Sequence, residues 1–192
     1  MNEAKIISGD TDQIWKRIES DFNADPDVYE YSAVIEQQDR SVMLDIDIDL
    51  GGGFESGYAL TRLTSNLKTF NQFKFSIHPQ DFIDTVGKFF GMEDVELGYV
   101  EFDKKIVVKT NDADRAKSIL YDSSMREVIQ SLEDFTFHIG HHSSHNTEVE
   151  AAFLELRINE GILEISRLRA IYEAFVSVLR KIEPSTGSII NN

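Results

Sequence analysis

The stretch "LDIDIDL", from Leu44 to Leu50, alternates aliphatic and acidic residues without a break. Successive side chains of a β-strand point to opposite faces, so this pattern predicts a strand with two chemically different faces. Leu44, Ile46, Ile48 and Leu50 are expected on one face, and Asp45, Asp47 and Asp49 on the other. The preceding run "VYEYSAVIEQ" also reads as a strand, and the short "QDR" between the two runs predicts a hairpin.

Helical spacing of apolar residues predicts five helices. They are "DTDQIWKRIESDF", which Asp10 or Thr11 can cap, "PQDFIDTVGKFFG" from Pro79, a segment capped by Asp112, a segment with a capping box of Ser124 and Glu127, and a long segment ending at Ile182. In the last of these, Ile165, Leu168, Tyr172, Phe175, Leu179 and Ile182 alternate spacings of three and four. Such a stripe indicates a long amphipathic helix, for which core packing is the expected use and a partner interface the alternative.

The remaining strand patterns are "YALTRLTSNL", "FNQFKFSIH", "VELGYV", "FDKKIVVK", "DFTFHIG" and "TEVEAAFLELRI". Strands therefore occur in antiparallel groups with helices between the groups, which predicts an α+β fold of mainly antiparallel sheet packed by helices. Residues 1–183 are expected to form a single domain, either as one unit or as two closely packed halves that meet near 91–101. Residues 184–192 are expected to be a disordered tail.

The formal net charge of −15 makes nucleic acid an unexpected partner, because phosphate backbones are bound through Lys and Arg. No apolar run reaches the length of a membrane span or a signal peptide, so we expect a cytoplasmic protein. The absence of cysteine excludes thiolate metal sites and cysteine nucleophiles. No cofactor motif is present, since "GGGFESG" lacks the Gly-Lys-Ser/Thr ending of a phosphate loop.

The middle of the chain resembles a family of uncharacterised bacterial proteins whose shared core reads Gly-Lys-x-Phe-Gly-x-x-Asp-Ile-Glu-x-Gly, followed by Phe-Asp and Lys-x-Asn-Asp. The matching residues are Gly87, Lys88, Phe90, Gly91, Asp94, Glu96, Gly98, Phe102, Asp103, Lys109, Asn111 and Asp112. Arg126 falls at a family arginine, whereas Tyr99 replaces a common acidic residue. The resemblance covers about the last two thirds of the chain and implies a fold but no activity.

The motif residues themselves favour a structural interpretation. Gly91 and Gly98 suit tight connections where positive φ is needed. The carboxylates of Asp94, Asp103 and Asp112 are expected to cap turns.

Four histidines around one turn are the candidate metal ligands. His138, His141, His142 and His145 lie in "FHIGHHSSHN", and neutral imidazole is a common ligand of zinc, copper and nickel. No His-Glu-x-x-His arrangement accompanies them, so a solvated hairpin loop is the alternative. A hydrolase based on Ser143 or Ser144 is not favoured, because neighbours in sequence rarely have triad geometry.

The acidic face of "LDIDIDL" offers a second candidate ion site. Three carboxylates on one strand suit a hard cation such as calcium, although one extended strand cannot supply a full coordination shell. We expect instead that Asp45, Asp47 and Asp49 discourage edge-to-edge pairing of strands.

Three functions follow from these patterns. The first is a non-catalytic binding or scaffolding module with a protein partner or a second copy of the chain. The second is a metal-binding protein or metal-dependent enzyme that uses the four histidines. The third is a small-molecule binder with an apolar pocket between sheet and helix, lined by Phe73, Phe75 and the phenylalanines of the helix predicted after them.

Overall fold

Nine strands and five helices make up the described part of the chain, which comprises residues 4–25, 29–52, 56–68, 72–82, 91–142 and 151–184 of a computed structural model. The strands are β1 (Lys5–Ser8), β2 (Glu30–Gln37), β3 (Arg40–Asp49), β4 (Tyr58–Asn66), β5 (Phe75–Pro79), β6 (Glu93–Asp94), β7 (Ile106–Thr110), β8 (Phe135–His142) and β9 (Ala151–Ile158). The helices are α1 (Thr11–Ala24), α2 (Val100–Asp103), α3 (Ala113–Ile119), α4 (Ser123–Gln130) and α5 (Ile165–Ile182).

All nine strands belong to one sheet, in the order β1-β2-β3-β4-β9-β8-β5-β7-β6. Every neighbouring pair is antiparallel except β1 and β2, which run parallel because α1 carries the chain back between them. The predicted α+β class is confirmed. The two strands after the glycine-rich loop both join this sheet as predicted, but β9 and β8 lie between them.

The sheet packs one face against α5. Leu44 and Ile46 of β3 are buried on this face as the alternation predicts, but Leu50 lies beyond the strand end and is 71% exposed. The rings of Phe137 in β8 and Phe175 in α5 stack with centroids 5.7 Å apart. Helices α1, α3 and α4 all contact α5 as well. The apolar stripe of α5 is therefore used in the core, as predicted.

The helix starts agree with the sequence at two of three capping sites. Asp10 forms a capping box with Gln13 at the start of α1, and Asp112 accepts a hydrogen bond from the backbone of Arg115 at the start of α3. The predicted capping box of Ser124 at α4 is wrong. Asp122 caps this helix instead, because its carboxylate accepts the backbone N–H of Ser124 at 2.9 Å.

The region around Gly98 differs most from the prediction. A strand was expected over "VELGYV", but β6 has only two residues and the chain turns into the short helix α2. The physical reason lies in Gly98, which has a φ of +87°, and in Asp103, whose carboxylate accepts the backbone N–H groups of Leu97 and Gly98 at 3.1 and 2.8 Å. These bonds close a compact turn that an extended strand cannot make.

Two further predictions fall at the edges of the described residues. Pro79 ends β5 instead of starting a helix, and most of the helix predicted after it lies outside the described residues. Residues 185–192 of the predicted tail and the turn at 143–150 also lie outside the described residues.

Other residues in the middle of the chain also have structural roles. Gly91 has a positive φ of +76°, as expected for a tight connection. Asp94 does not cap a turn as predicted but forms an ion pair with Lys109 at 2.9 Å across β6 and β7. The guanidinium of Arg126 lies 3.5 Å from the ring centroid of Tyr99 and donates to the carbonyl oxygens of Leu120 and Tyr121, just after α3. Tyr99 thus offers a cation–π contact where an acidic residue would offer an ion pair.

The acid stability of the fold should depend on the cap of α5. Glu164 accepts the backbone N–H groups of Ser166 and Arg167, and the hydrogen bond from the Ser166 hydroxyl is the largest cause that lowers its pKa below the ordinary 4.5. The stabilisation from a lowered folded pKa is complete above the ordinary value and is lost as pH falls. We expect Glu164→Gln to make stability less dependent on pH below that value, as measured by urea unfolding at several pH values.

Glu101→Gln is the matched control, because the Glu101 side chain is 80% exposed and caps no helix. Parallel stability curves for the wild-type protein and Glu164→Gln would contradict the assignment of Glu164 as a proton-linked cap.

Candidate functional site

The face of the sheet opposite α5, here called the polar face, carries one continuous row of directly paired residues. Each residue lies opposite the next on the neighbouring strand. From β2 to β6 the row consists of Val34, Met43, Thr64, Glu155, His138, Ser76, Lys109 and Asp94. Since paired side chains on one face lie close together, the row brings groups from distant parts of the sequence into contact range.

The three aspartates of β3 lie on this polar face, and each has its own partner. Asp45 accepts hydrogen bonds from Arg62 at 2.9 Å and from Ser32 at 2.8 Å. Asp47 accepts from the hydroxyl of Tyr58 at 2.6 Å, and Asp49 accepts from the backbone of Gly51 at 2.8 Å. The carboxylates therefore diverge to separate partners instead of converging on one point.

The expected role of these aspartates in blocking edge pairing is wrong. Strand β3 is an interior strand between β2 and β4, so it has no free edge to protect. Within the described ranges, no group of three or more His, Cys, Asp or Glu side chains is arranged to hold a metal ion, and this includes the calcium site considered for β3.

A pocket of about 350 Å³ lies on the polar face near β5, β8 and β9. We call it the β8 pocket. Apolar side chains supply part of its wall, namely Phe82, Met92 and Phe153. Its polar lining includes Ser76, Thr136 and His138. Apolar walls with a few placed polar groups are typical of small-molecule sites.

Ser76 is the most unusual residue of the β8 pocket. It is 1% exposed, and its hydroxyl oxygen is buried without a hydrogen-bond partner among the described residues. Every residue of β5 is buried, so this strand is covered on both faces. An unsatisfied buried hydroxyl costs about 1–3 kcal/mol. A ligand that offered a hydrogen bond to Ser76 would recover part of that cost.

One wall of the pocket depends on a glycine. Gly140 and Phe153 are a directly opposed pair on β8 and β9. The ring of Phe153 lies so close over Gly140 that a Cβ atom there would overlap it. The same ring meets His138 edge to face, with centroids 6.3 Å apart. Glycine at position 140 therefore allows Phe153 to lie flat on the sheet as a pocket wall.

Ser76, His138 and Glu155 occupy three successive positions of the cross-strand row, in the order of a hydrolase triad. The hydroxyl of Ser76 makes no hydrogen bond with His138. Strand β5 is also paired on both edges at Ser76, with β8 on one side and β7 on the other. A triad needs a nucleophile bonded to its base, and among the described residues the hydroxyl of Ser76 has no such bond.

The predicted histidine ligands are only partly described. His138 and His141 are both among the residues that line the β8 pocket, and His141, three residues further along β8, is exposed. Their odd separation directs the two side chains to opposite faces of a regular strand. The backbone of His142 pairs with Ala151, but its side chain and all of His145 lie outside the described residues. The four-histidine metal site therefore stays a prediction.

The pocket lies on the opposite face of the sheet from Phe73 and Phe75, although Phe82 of the predicted following segment does line it. Phe73 and Phe75 are both buried, with their rings stacked 5.9 Å apart, and Phe75 meets Phe137 on the α5 side of the sheet. Ser76 points to the opposite face because it follows Phe75 in the strand. Its only sequence signal was a polar residue in the run "FKFSIH", which is common in half-buried strands.

In the described part of the chain, no helix has both the length and the apolar character needed to cross a membrane. No family model matches the chain, and no curated protein matches it. Among solved structures, the crystal structure of the mycobacterial trehalose monomycolate transport factor A, TtfA, aligns with 75% of this chain and 75% of its own. That alignment has 11% sequence identity and a TM-score of 0.39, which is too low to support an argument about function.

Replacement of Ser76 should show whether its hydroxyl is hydrogen-bonded within the folded protein. We expect Ser76→Ala to raise the stability of the ligand-free protein by about 1 kcal/mol, which corresponds to about 2–4 °C in melting temperature, because an unsatisfied buried group is removed. The measurement is thermal unfolding followed by circular dichroism.

Ser65→Ala is the matched control. Ser65 is also buried on an interior strand, but its hydroxyl donates to the carbonyl oxygen of Ser41 at 2.9 Å. Its replacement should lower stability by about 1 kcal/mol. A melting temperature that falls equally in both variants would show that the hydroxyl of Ser76 is bonded within the folded protein.

Proposed function

We propose that this protein is a non-catalytic binding module that holds a small, mostly apolar molecule in the β8 pocket. The observation that carries the proposal is Ser76, which is among the residues that line the β8 pocket and whose buried hydroxyl has no partner among the described residues. A ligand with an apolar body and one hydrogen-bonding atom fits both features. The apolar body would contact Phe153 and Met92, and the polar atom would bond to Ser76.

The size of the pocket supports a small ligand. Its volume of about 350 Å³ lies near the lower end of the range of about 300–1,000 Å³ that is usual for small-molecule sites. The walls come from three parts of the chain, because Phe82 follows β5, Met92 precedes β6, and Phe153 belongs to β9. A site assembled on paired strands is held in a fixed geometry, which lowers the cost of ordering it on binding.

The hydrogen bonds of the polar groups in the pocket favour binding without catalysis. The hydroxyl of Ser76 has no base bonded to it, and the backbone around it is committed to strand pairing. The polar groups of the pocket can therefore orient a ligand, but they are not arranged to attack it.

The test uses 1-anilinonaphthalene-8-sulfonate, an aromatic dye whose fluorescence rises in apolar surroundings. We expect the folded wild-type protein to bind the dye with a blue-shifted emission. Phe153→Ala should weaken binding about tenfold or more, because a lost aromatic contact is worth about 1.5–3 kcal/mol. Gly140→Val should also weaken binding, since its side chain would displace the ring of Phe153.

Met43→Ala is the matched control, because Met43 is a half-buried apolar residue of the same polar face outside the β8 pocket. Its dye affinity should equal that of the wild-type protein. Circular dichroism of each variant confirms folding, since the dye also binds partly folded states. Equal loss in Met43→Ala and Phe153→Ala, or no binding to the folded wild-type protein, would contradict the proposal.

A further inference from the structure

A second feature, independent of the β8 pocket, is a cluster of exposed apolar side chains where β2 and β4 begin and β3 ends. Tyr29, Leu50 and Tyr58 are 44%, 71% and 53% exposed, and they line one shallow depression. We call this cluster the tyrosine patch. Large apolar side chains that gather on a surface mark interaction sites more often than single ones do. Tyrosine is also enriched among the residues that contribute most to binding energy.

The rim of the tyrosine patch is acidic. Glu30, Asp47 and Asp49 line the same depression, and the residues that line it include no Lys or Arg. The hydroxyl of Tyr58 donates to Asp47 at 2.6 Å, which fixes its ring beside the carboxylate and raises the pKa of the tyrosine. An exposed aromatic surface next to three carboxylates suits a cation, through Coulomb attraction and through cation–π contact with the rings.

We infer that the tyrosine patch docks a basic segment of a protein partner, in which an apolar side chain is flanked by Lys or Arg. The apolar side chain would cover Leu50 and the tyrosine rings, and the basic groups would face the carboxylates of the rim. The net charge of −15 would speed the approach of such a partner.

The same chemistry argues against other occupants. Nucleic acid would bring phosphates to a rim that already carries three carboxylates. A symmetric contact between two copies of the chain would place the same patch against itself, because a two-fold interface is self-complementary. The rim carboxylates of both copies would then repel one another.

The experiment measures fluorescence anisotropy of a short labelled peptide with a central tryptophan flanked by lysines, mixed with the full chain. We expect saturable binding that weakens as salt is added, and no binding of a peptide in which glutamates replace the lysines. Leu50→Ser and Tyr58→Ser should each weaken binding about tenfold, which corresponds to about 1.4 kcal/mol. Asp49→Asn should reduce the salt dependence, because one rim charge is removed.

Three variants elsewhere on the surface are the controls. Val100 and Tyr121 are exposed apolar residues outside the patch, at 64% and 75% exposure. Val100→Ser and Tyr121→Ser should bind the peptide as tightly as the wild-type protein. Glu101→Gln removes an exposed charge outside the patch and should leave the salt dependence nearly unchanged.

Three outcomes would overturn the inference. Equal weakening in patch and control variants would show that the peptide follows the net charge of the chain and not a defined surface. Sedimentation velocity that detects a dimer of the wild-type protein, lost in Leu50→Ser, would assign the patch to a second copy. Absence of peptide binding by the wild-type protein would also overturn it.

Discussion

The burial of α5 against the sheet is the interaction on which the rest of the structure depends. Its apolar stripe covers the sheet at β4 and β8, and the other long helices gather around it. Apolar burial of this extent is the main favourable term in folding. Because it commits one face of each strand to the core, it also decides which side chains form the polar face.

The polar face is not uniform along the sheet. Around β3 its carboxylates are hydrogen-bonded to separate partners, Asp45 to Arg62, Asp47 to Tyr58 and Asp49 to Gly51. Near β5 the same face is buried, and it carries an apolar pocket with an unsatisfied hydroxyl at Ser76. Polar groups in water cost little, whereas a buried group without a partner is costly. The two proposed sites would therefore bind their ligands through different interactions. The β8 pocket would remove an apolar ligand from water, whereas the tyrosine patch offers exposed rings beside negative charge.

Local patterns predicted much of the fold. The alternation in β3 and the stripe of α5 were both confirmed, because each depends only on residues within one element. The predictions were wrong where an aspartate side chain forms a hydrogen bond with the backbone a few residues away. Asp103 closes the turn before α2, and Asp122 caps α4 in place of Ser124. Several hydrogen-bond partners compete at such positions, and sequence does not rank them.

The sequence by itself determined most of the elements, the α+β class and which face of the long strands is apolar, because those properties follow from the period of the strand or helix. Tertiary structure decided that β9 and β8 lie between β4 and β5, and therefore that Ser76 lies opposite His138. It also decided that Phe153 lies over Gly140. The neighbours of a strand are set by long-range pairing and shared burial, and no local pattern carries that information.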